Sequence, residues 1–322
     1  MIGSGAMGAS LAAIVAPHVP TVIVVRNPER DGRIRRAGIQ VEGALAAFGR
    51  PDVVGSIDDL ADIHPIDLVF VATKTTAIPS VCEAMRPHRK ELPCIVSYQN
   101  GIEPGRTIIR LLGTPNVVRM VINYGGSVLE PATATGPYRV RISFEDPPHF
   151  VGGEPEVAEF ARALAPELTR MGLVTEFVAD IDREVWRKGI LNAASNPVSA
   201  LVRAPIGDLM ASPARPLIER LLTEAIAVAR GAGIDLGDGF QTSALDYLGH
   251  AAAHMPSMAE DVISGRPTEI TQLNEQISAR GRALAIATPT HDAIVDLIRT
   301  FDWRAETAMK KPSGLTPTRS KE

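Results

Sequence analysis

Cysteine is nearly missing from this chain of 322 residues, which carries only Cys82 and Cys94. Neither lies in a metal-ligand spacing, so no metal centre is expected. Two thiols also argue against a disulfide framework and for a reduced, cytoplasmic setting. Long apolar runs are missing too. None reaches the roughly 18–20 residues that a membrane span needs, and runs such as Val22–Val25 and Leu68–Ala72 have only strand length. The amino terminus has no basic region leading into an apolar one, so no export signal is expected. Nor does one sign of charge dominate: 33 basic against 37 acidic residues leave a net charge of -4. Global attraction to nucleic acid or an anionic membrane is therefore excluded, and only a local basic site could hold a phosphate.

What is present fits two domains, since the length exceeds what one small core usually takes and hydrophobic residues make up 45%. The first half alternates β-branched runs with helical patterns, the signature of a parallel α/β sheet. Strands are expected at 21–25, 67–72, 94–97 and 117–122, the last entered through Thr114-Pro115-Asn116. A hairpin or meander is expected between Gly125 and Gly153. A helix over 156–171 and a last strand over 173–178 complete this half. The second half predicts helices at 183–196, 214–231, 241–259, 268–285 and 289–301. The fold class is thus α/β, a Rossmann-type parallel sheet domain (1–180) followed by an all-helical C-terminal domain (181–305). Residues 306–322, polar with Pro and Gly, are expected to be a disordered tail.

Two motifs carry chemistry. Along Trp186-Arg187-Lys188-Gly189-Ile190-Leu191-Asn192-Ala193-Ala194-Ser195-Asn196-Pro197, the spacing places Lys188, Asn192 and Asn196 on one helix face. One amine and two carboxamides on a greasy segment are poor core-filling material. A lysine there loses hydration, which lowers its pKa and suits it to donate a proton near neutrality.

The second motif is Gly3-Ser4-Gly5-Ala6-Met7-Gly8, a GxGxxG fingerprint followed by an apolar helix. The first glycine permits the tight turn, the second lets backbone approach a pyrophosphate, and the third allows close helix packing. Gly3, Gly5, Ala6, Met7 and Gly8 are the expected cofactor-binding residues, with the pyrophosphate at a helix amino end that favours anions. The second strand ends at Arg26. A carboxylate there would hold the ribose 2′-hydroxyl of NAD, whereas arginine suits the 2′-phosphate of NADP, so NADPH is the expected cofactor. Only Met1 and Ile2 precede Gly3, where a strand of about five residues belongs. The expectation from this is that a native start lies upstream.

With these motifs in hand, the chain resembles the ketopantoate reductase (2-dehydropantoate 2-reductase) family over roughly residues 2–298. The resemblance extends through Ala72-Thr73-Lys74, Gln99-Asn100-Gly101, Trp186-Arg187-Lys188 with Asn192 and Asn196-Pro197, Pro256-Ser257-Met258, and Gly265-Arg266-Pro267-Thr268-Glu269-Ile270. It implies NADPH-dependent reduction of ketopantoate to pantoate in pantothenate biosynthesis, in a cleft between the two domains, with the R product. It also implies roles. Lys188 is the general acid, Asn192 holds its ammonium, and Asn196 and Ser257 contact substrate. Glu269 bonds the substrate hydroxyl or the ribose, and Lys74 and Asn100 contact the phosphate and nicotinamide ends of the cofactor. The partner is a small 2-oxo acid, with neither nucleic acid nor membrane, and a homodimer is left open.

Each residue also has a plainer role. Lys188 could snorkel, Glu269 could complement a helix dipole after Thr268, Ser257 could begin a helix, Lys74 could be solvated, and Asn100-Gly101 could be a turn pair. His254, one turn before Ser257, reads first as a helix-surface histidine. Two positions depart from the family, which often has asparagine where His254 and Ile206 stand, and Glu275 replaces a frequent glycine. Another small oxo or hydroxy acid is therefore the first alternative substrate. A non-catalytic NADP-sensing protein is the alternative of a different class.

Overall fold

The computed structural model describes residues 1–63, 65–88, 94–130 and 132–310. In chain order the strands are β1 (Val22–Val24), β2 (Ile39–Gly43), β3 (Ala47–Gly49), β4 (Asp52–Val54), β5 (Val69–Val71), β6 (Ile95–Ser97), β7 (Val117–Val121), β8 (Tyr124–Val128), β9 (Tyr138–Glu145), β10 (His149–Gly152) and β11 (Thr175–Phe177). The helices are α1 (Ala6–Val15), α2 (Pro28–Ala37), α3 (Ile78–Met85), α4 (Pro104–Leu112), α5 (Pro155–Arg170), α6 (Ile181–Val202), α7 (Ile206–Ala211), α8 (Arg215–Gly231), α9 (Phe240–His250), α10 (Ser257–Ile263), α11 (Asn274–Ala283) and α12 (Pro289–Lys310).

A parallel sheet runs β5-β6-β7, and β10 joins β7 antiparallel before β11 pairs parallel to β10. On the other side, β1 and β4 pair in parallel. Ile2 joins the two parts by itself, bridging Val24 and Val71 in parallel. Its N–H donates to Phe70 O at 2.8 Å, and its carbonyl accepts from Ala72 N at 2.8 Å. One residue thus serves where a central strand was expected. A second sheet, ordered β3-β2-β9-β8, covers the far side of α1. That explains why α1 is apolar all round, with every residue from Gly8 to Val15 buried. Gly49 lies against it so closely that a Cβ would come 2.6 Å from Ala13 O.

From Ile181 onward the described chain is helical, around a core that includes Trp186, Ile190, Leu221, Leu222 and Ile277. The expected helix over 241–259 is two helices. Pro256 disfavours helical geometry at Met255, and the chain between α9 and α10 turns instead. The helix expected over 268–285 begins only at Asn274, after a single 3-10 turn at Ile270–Gln272. Strands β2, β3 and β4 and the short α7 were not anticipated. α12 continues to Lys310, past the expected limit at 305, and the tail over 311–322 lies outside the described residues.

The long α6 begins with Asp180, whose side chain accepts from Arg183 N, and ends where Arg203 turns left-handed at φ 55°. It contains Pro197, which has no N–H to offer the carbonyl four residues back. That carbonyl, Ala193 O, is served from another helix by Asn274 Nδ2 at 2.8 Å. Asn274 is fully buried, and the same amide meets His291 Nδ1 at 3.1 Å. Losing such a buried donor costs about 1–3 kcal/mol. We expect Asn274→Leu to lower unfolding free energy by about that amount, read by urea denaturation with an unchanged slope. A stability equal to the wild type would mean that Ala193 O is satisfied another way.

Candidate active site

The site is assembled from loops at the carboxyl ends of the parallel strands and from one face of α6. At the fingerprint, Gly3 adopts φ +113°, and a Cβ there would lie 2.8 Å from the Ala72 backbone. Gly8 sits directly on Gly3 O, so it too tolerates no side chain. Gly5 is different: nothing lies within 4 Å of its would-be Cβ. The loop is therefore tight against the sheet and open above the amino end of α1, the cradle a pyrophosphate requires. Ala6 and Met7 form the first turn behind it. Arg26, just beyond β1, is exposed and makes no hydrogen bond or ion pair among the described residues.

The loop after β6 carries Gln99-Asn100-Gly101 into the space between the domains. Gln99 Nε2 donates to Thr73 O at 3.0 Å, tying this loop to the one after β5. Gly101 needs its positive φ of 117°, and Ile102 packs against Gly189, where a Cβ would come within 2.7 Å of Ile102 Cγ1. The half-buried Asn100 is thus carried beside the turn of α6 that bears Lys188.

Lys188, Asn192 and Asn196 do lie four residues apart on one continuous helix. Lys188 Nζ makes no hydrogen bond or ion pair among the described residues, and burial pushes its pKa down to about 7. Among the described residues, no carboxylate pairs with it to offset that desolvation. Instead the Lys188 charge acts on two imidazoles, the fully buried His149 and the half-buried His254, whose pKa values fall to about 4 through desolvation and that charge. Ser195 Oγ lies 2.9 Å from Leu191 O and 3.2 Å from Asn196 Oδ1, which leaves the Asn196 amide N–H groups unbonded among the described residues. Ser257 opens α10, which lies along α6, and is exposed.

Lys74 and Glu269 are brought together with partners that the sequence did not suggest. Lys74 Nζ contacts Asp261 at 2.7 Å and Pro267 O at 3.2 Å, across from its own domain. Asp261 also accepts from Arg266 Nε at 2.9 Å. Glu269 Oε1 accepts from Thr75 N at 2.8 Å and Thr75 Oγ1 at 2.6 Å, while Oε2 makes no bond among the described residues. These contacts clasp the loop after β5 to the segment after α10. Asp261 and Thr75 were missed because 187 and 194 residues separate the partners, a distance at which no periodicity operates.

His254 is not on a helix surface. It lies in the turn between α9 and α10, its ring tilted against Phe144 with centroids 5.7 Å apart. Its Nδ1 is 3.3 Å from Ser143 Oγ, and it covers Gly125 so closely that a side chain there would displace the ring. Its carbonyl accepts from Ile206 N at 3.0 Å, so the two positions that depart from the family are neighbours. His149, also overlooked, is fully buried with Nδ1 accepting from Asn123 N at 2.9 Å. No short motif announces it.

Comparison with known proteins accords with this geometry. The profile described as ketopantoate reductase PanE/ApbA matches residues 1–146, and that of its C-terminal part matches residues 180–302. The chain belongs to the ketopantoate reductase family. Its members are oxidoreductases acting on CH–OH groups, and this protein is one of them. The 2-dehydropantoate 2-reductase of Caulobacter vibrioides is 30% identical over 305 residues, covering 92% of this chain and 97% of that protein. That of Aquifex aeolicus is 28% identical over 314 residues, covering 93% and 95%. Among solved structures, a PanE/ApbA family ketopantoate reductase from Ralstonia eutropha JMP134 superposes with a TM-score of 0.81 at 24% identity, covering 95% of this chain and 98% of that one. D-mandelate dehydrogenase with NADH and anilino(oxo)acetate superposes at 0.79 with 20% identity, covering 95% and 98%, and shares the fold. Among the described residues, no helix is long and apolar enough to cross a membrane.

Proposed function

We propose that this member of the ketopantoate reductase family reduces a 2-oxo acid to the 2-hydroxy acid with NADPH, and that ketopantoate is its substrate. The carrying observation is Lys188, an unpaired amine with a pKa near 7 on the α6 face that meets the Asn100 loop. In this reading residues 1–180 hold the cofactor and 181–305 supply the acid and the substrate contacts. The open backbone at Gly5 and the unpaired Arg26 suit a 2′-phosphorylated dinucleotide.

A reduced nicotinamide, held by the glycine loop with Lys74 and Asn100, would supply the hydride to the ketone carbon. The carbon–oxygen π pair then resides on oxygen, and Lys188 stabilises that alkoxide before giving it a proton from Nζ. Asn192, one turn on along α6, is placed to hold the ammonium once substrate is bound, although Nζ makes no hydrogen bond to it in the structure. The free amide of Asn196 and the Ser257 hydroxyl, at the amino end of α10, hold the substrate carboxylate and oxo group. Glu269 retains Oε2 for the substrate hydroxyl or ribose, and Lys74, in the loop after β5, exchanges Asp261 for a cofactor oxygen when the cofactor binds. The departures at His254 and Ile206 favour a second reading in which another small 2-oxo acid is reduced by the same steps.

The test is NADPH consumption with ketopantoate, beside a panel of other 2-oxo acids and with NADH in parallel. Saturable turnover of ketopantoate with NADPH supports the proposal. Turnover confined to another oxo acid moves the substrate but keeps the chemistry. NADPH binding without turnover of any substrate would instead indicate a sensor.

A further inference from the structure

Lys74 stands one residue beyond the backbone on which the fingerprint loop rests. A Cβ at Gly3 would lie 2.8 Å from Ala72 O and from Thr73 N, so the two loops touch just before this lysine. Its amine is nevertheless engaged elsewhere. It crosses to the helical half of the chain, 2.7 Å from Asp261 Oδ2 and 3.2 Å from Pro267 O. The partners in this ion pair are unequal. The Lys74 side chain is 46% exposed, whereas that of Asp261 is only 8% exposed. A long, half-hydrated amine can leave with little loss, but a buried carboxylate stripped of its cation is strongly destabilising.

Asp261 has a second cation. Its other oxygen, Oδ1, accepts from Arg266 Nε at 2.9 Å. The backbone holds that arginine close, since Arg266 N donates to Asp261 O at 2.8 Å and Gly265, at φ +64°, makes the turn that brings it back onto α10. The residue after the lysine, Thr75, is tied separately to Glu269 Oε1. The bridge at Lys74 can therefore break while the carboxylate keeps a counter-ion and the two loops stay joined. One lysine thus has two destinations, and only its own side chain has to move.

We propose that Asp261 is an internal competitor for the cofactor: in the free enzyme it holds Lys74 across the cleft, and it thereby sets how tightly and for how long NADPH is bound. The inference rests on the reading of Lys74 as a cofactor-binding residue. Cofactor oxygens must displace Asp261 from the amine, and on release Asp261 recaptures it. Arg266 is the stand-by partner that keeps the exchange reversible. Asp261 acts only through the lysine, as a positioning residue.

The test is a double-mutant cycle on binding. Kd for NADPH is measured by fluorescence of the reduced cofactor, and its release by stopped flow, on wild type, Asp261→Asn, Lys74→Ala and the double variant, with melting temperatures as a check on folding. Asparagine keeps Oδ1 for Arg266 and removes the charge that holds the lysine. Asp261→Asn is expected to tighten NADPH about three- to tenfold and to slow its release, the range for removing one competing charge-assisted bond at a half-exposed amine. In the Lys74→Ala background the same substitution should change nothing, because no amine is left to compete for. Equal tightening in both backgrounds would mean that Asp261 simply repels the phosphates, and would overturn the proposal, as would no tightening at all. Arg266→Gln gives the opposite sign: it leaves Asp261 to the lysine alone and should weaken NADPH, again only where Lys74 is present. An equal effect in both backgrounds, or none, would overturn the exchange as well. Failure of the underlying reading looks different. Removing Lys74 from Asp261→Asn would then leave NADPH affinity unchanged, and a wild type without NADPH affinity would remove the dinucleotide site itself.

Discussion

Lys188→Ala is expected to lower turnover by about 10²–10⁴-fold, the usual contribution of a positioned proton donor. NADPH affinity should change little, because the lysine faces the ketone rather than the phosphates. Cofactor fluorescence and steady-state rates measure the two effects on the same preparation. The pH profile carries a second signature. A general acid must be protonated, and burial has brought the Lys188 pKa down to about 7. The kcat/KM profile, which reports the free enzyme, should therefore fall as pH rises through about 7. The limb in kcat should lie higher, since a bound carboxylate beside the amine favours the ammonium form. A flat profile with chemistry rate-limiting would place the acid elsewhere. Stability moves in the opposite sense. Because the folded pKa lies below the unfolded one, the folded protein gains stability as pH rises from the folded value toward that of free lysine. Lys188→Met, which keeps the aliphatic stem and removes the charge, should melt higher than the wild type at pH 6. An unchanged or lower melting temperature would mean that the ammonium is better solvated than its burial suggests.

Asp182→Ala should destabilise the fold by about 3–5 kcal/mol, the range for stripping the partner from a buried charge. Asp182, in the first turn of α6, accepts from Arg119 Nη1 on β7 at 2.6 Å and from Arg106 Nη2 on α4 at 2.6 Å. The Arg119 residue is only 5% exposed, so water cannot replace the lost carboxylate. Glu154, 3.9 Å from Arg119, would remain as its distant counter-ion. Burial raises the Asp182 pKa, but the Arg119 hydrogen bond and the two guanidinium charges outweigh it, and the net shift is downward. The stabilisation is therefore complete above about pH 4, the unfolded value, and is lost as pH falls through the lower folded one. Chemical denaturation of wild type and variant at pH 7 gives the difference. A loss under about 1 kcal/mol would show that this ion pair behaves as a surface one.

Much of the architecture could be read from local pattern. The β-branched runs at 69–71, 95–97 and 117–121 became adjacent parallel strands, because a buried central strand must be apolar on both faces. The Lys188–Asn196 stripe required only helical periodicity, and α6 supplies it. Strands β2, β3 and β4 escaped notice because they are short and half-exposed, with no apolar run to mark them. The helix expected over 241–259 ends at His250 and resumes as α10 only after Pro256, which disfavours helical geometry at Met255.

What the amino-acid sequence determined by itself is the local chemistry: a glycine loop that can admit a phosphate, an arginine just beyond β1, and an amine on a greasy helix face. Tertiary structure alone decided how those groups are partnered. It put Asp261 on Lys74, Thr75 on Glu269, Arg30 on Ser4 and Tyr138, and Asn274 under the carbonyl orphaned by Pro197. The physical reason is range. Backbone torsions and side-chain periodicity act over a few residues, so a sequence displays them. Hydrogen bonds and charges act through space, and their partners are known only once the packing of two sheets and a helical domain has chosen which distant residues meet.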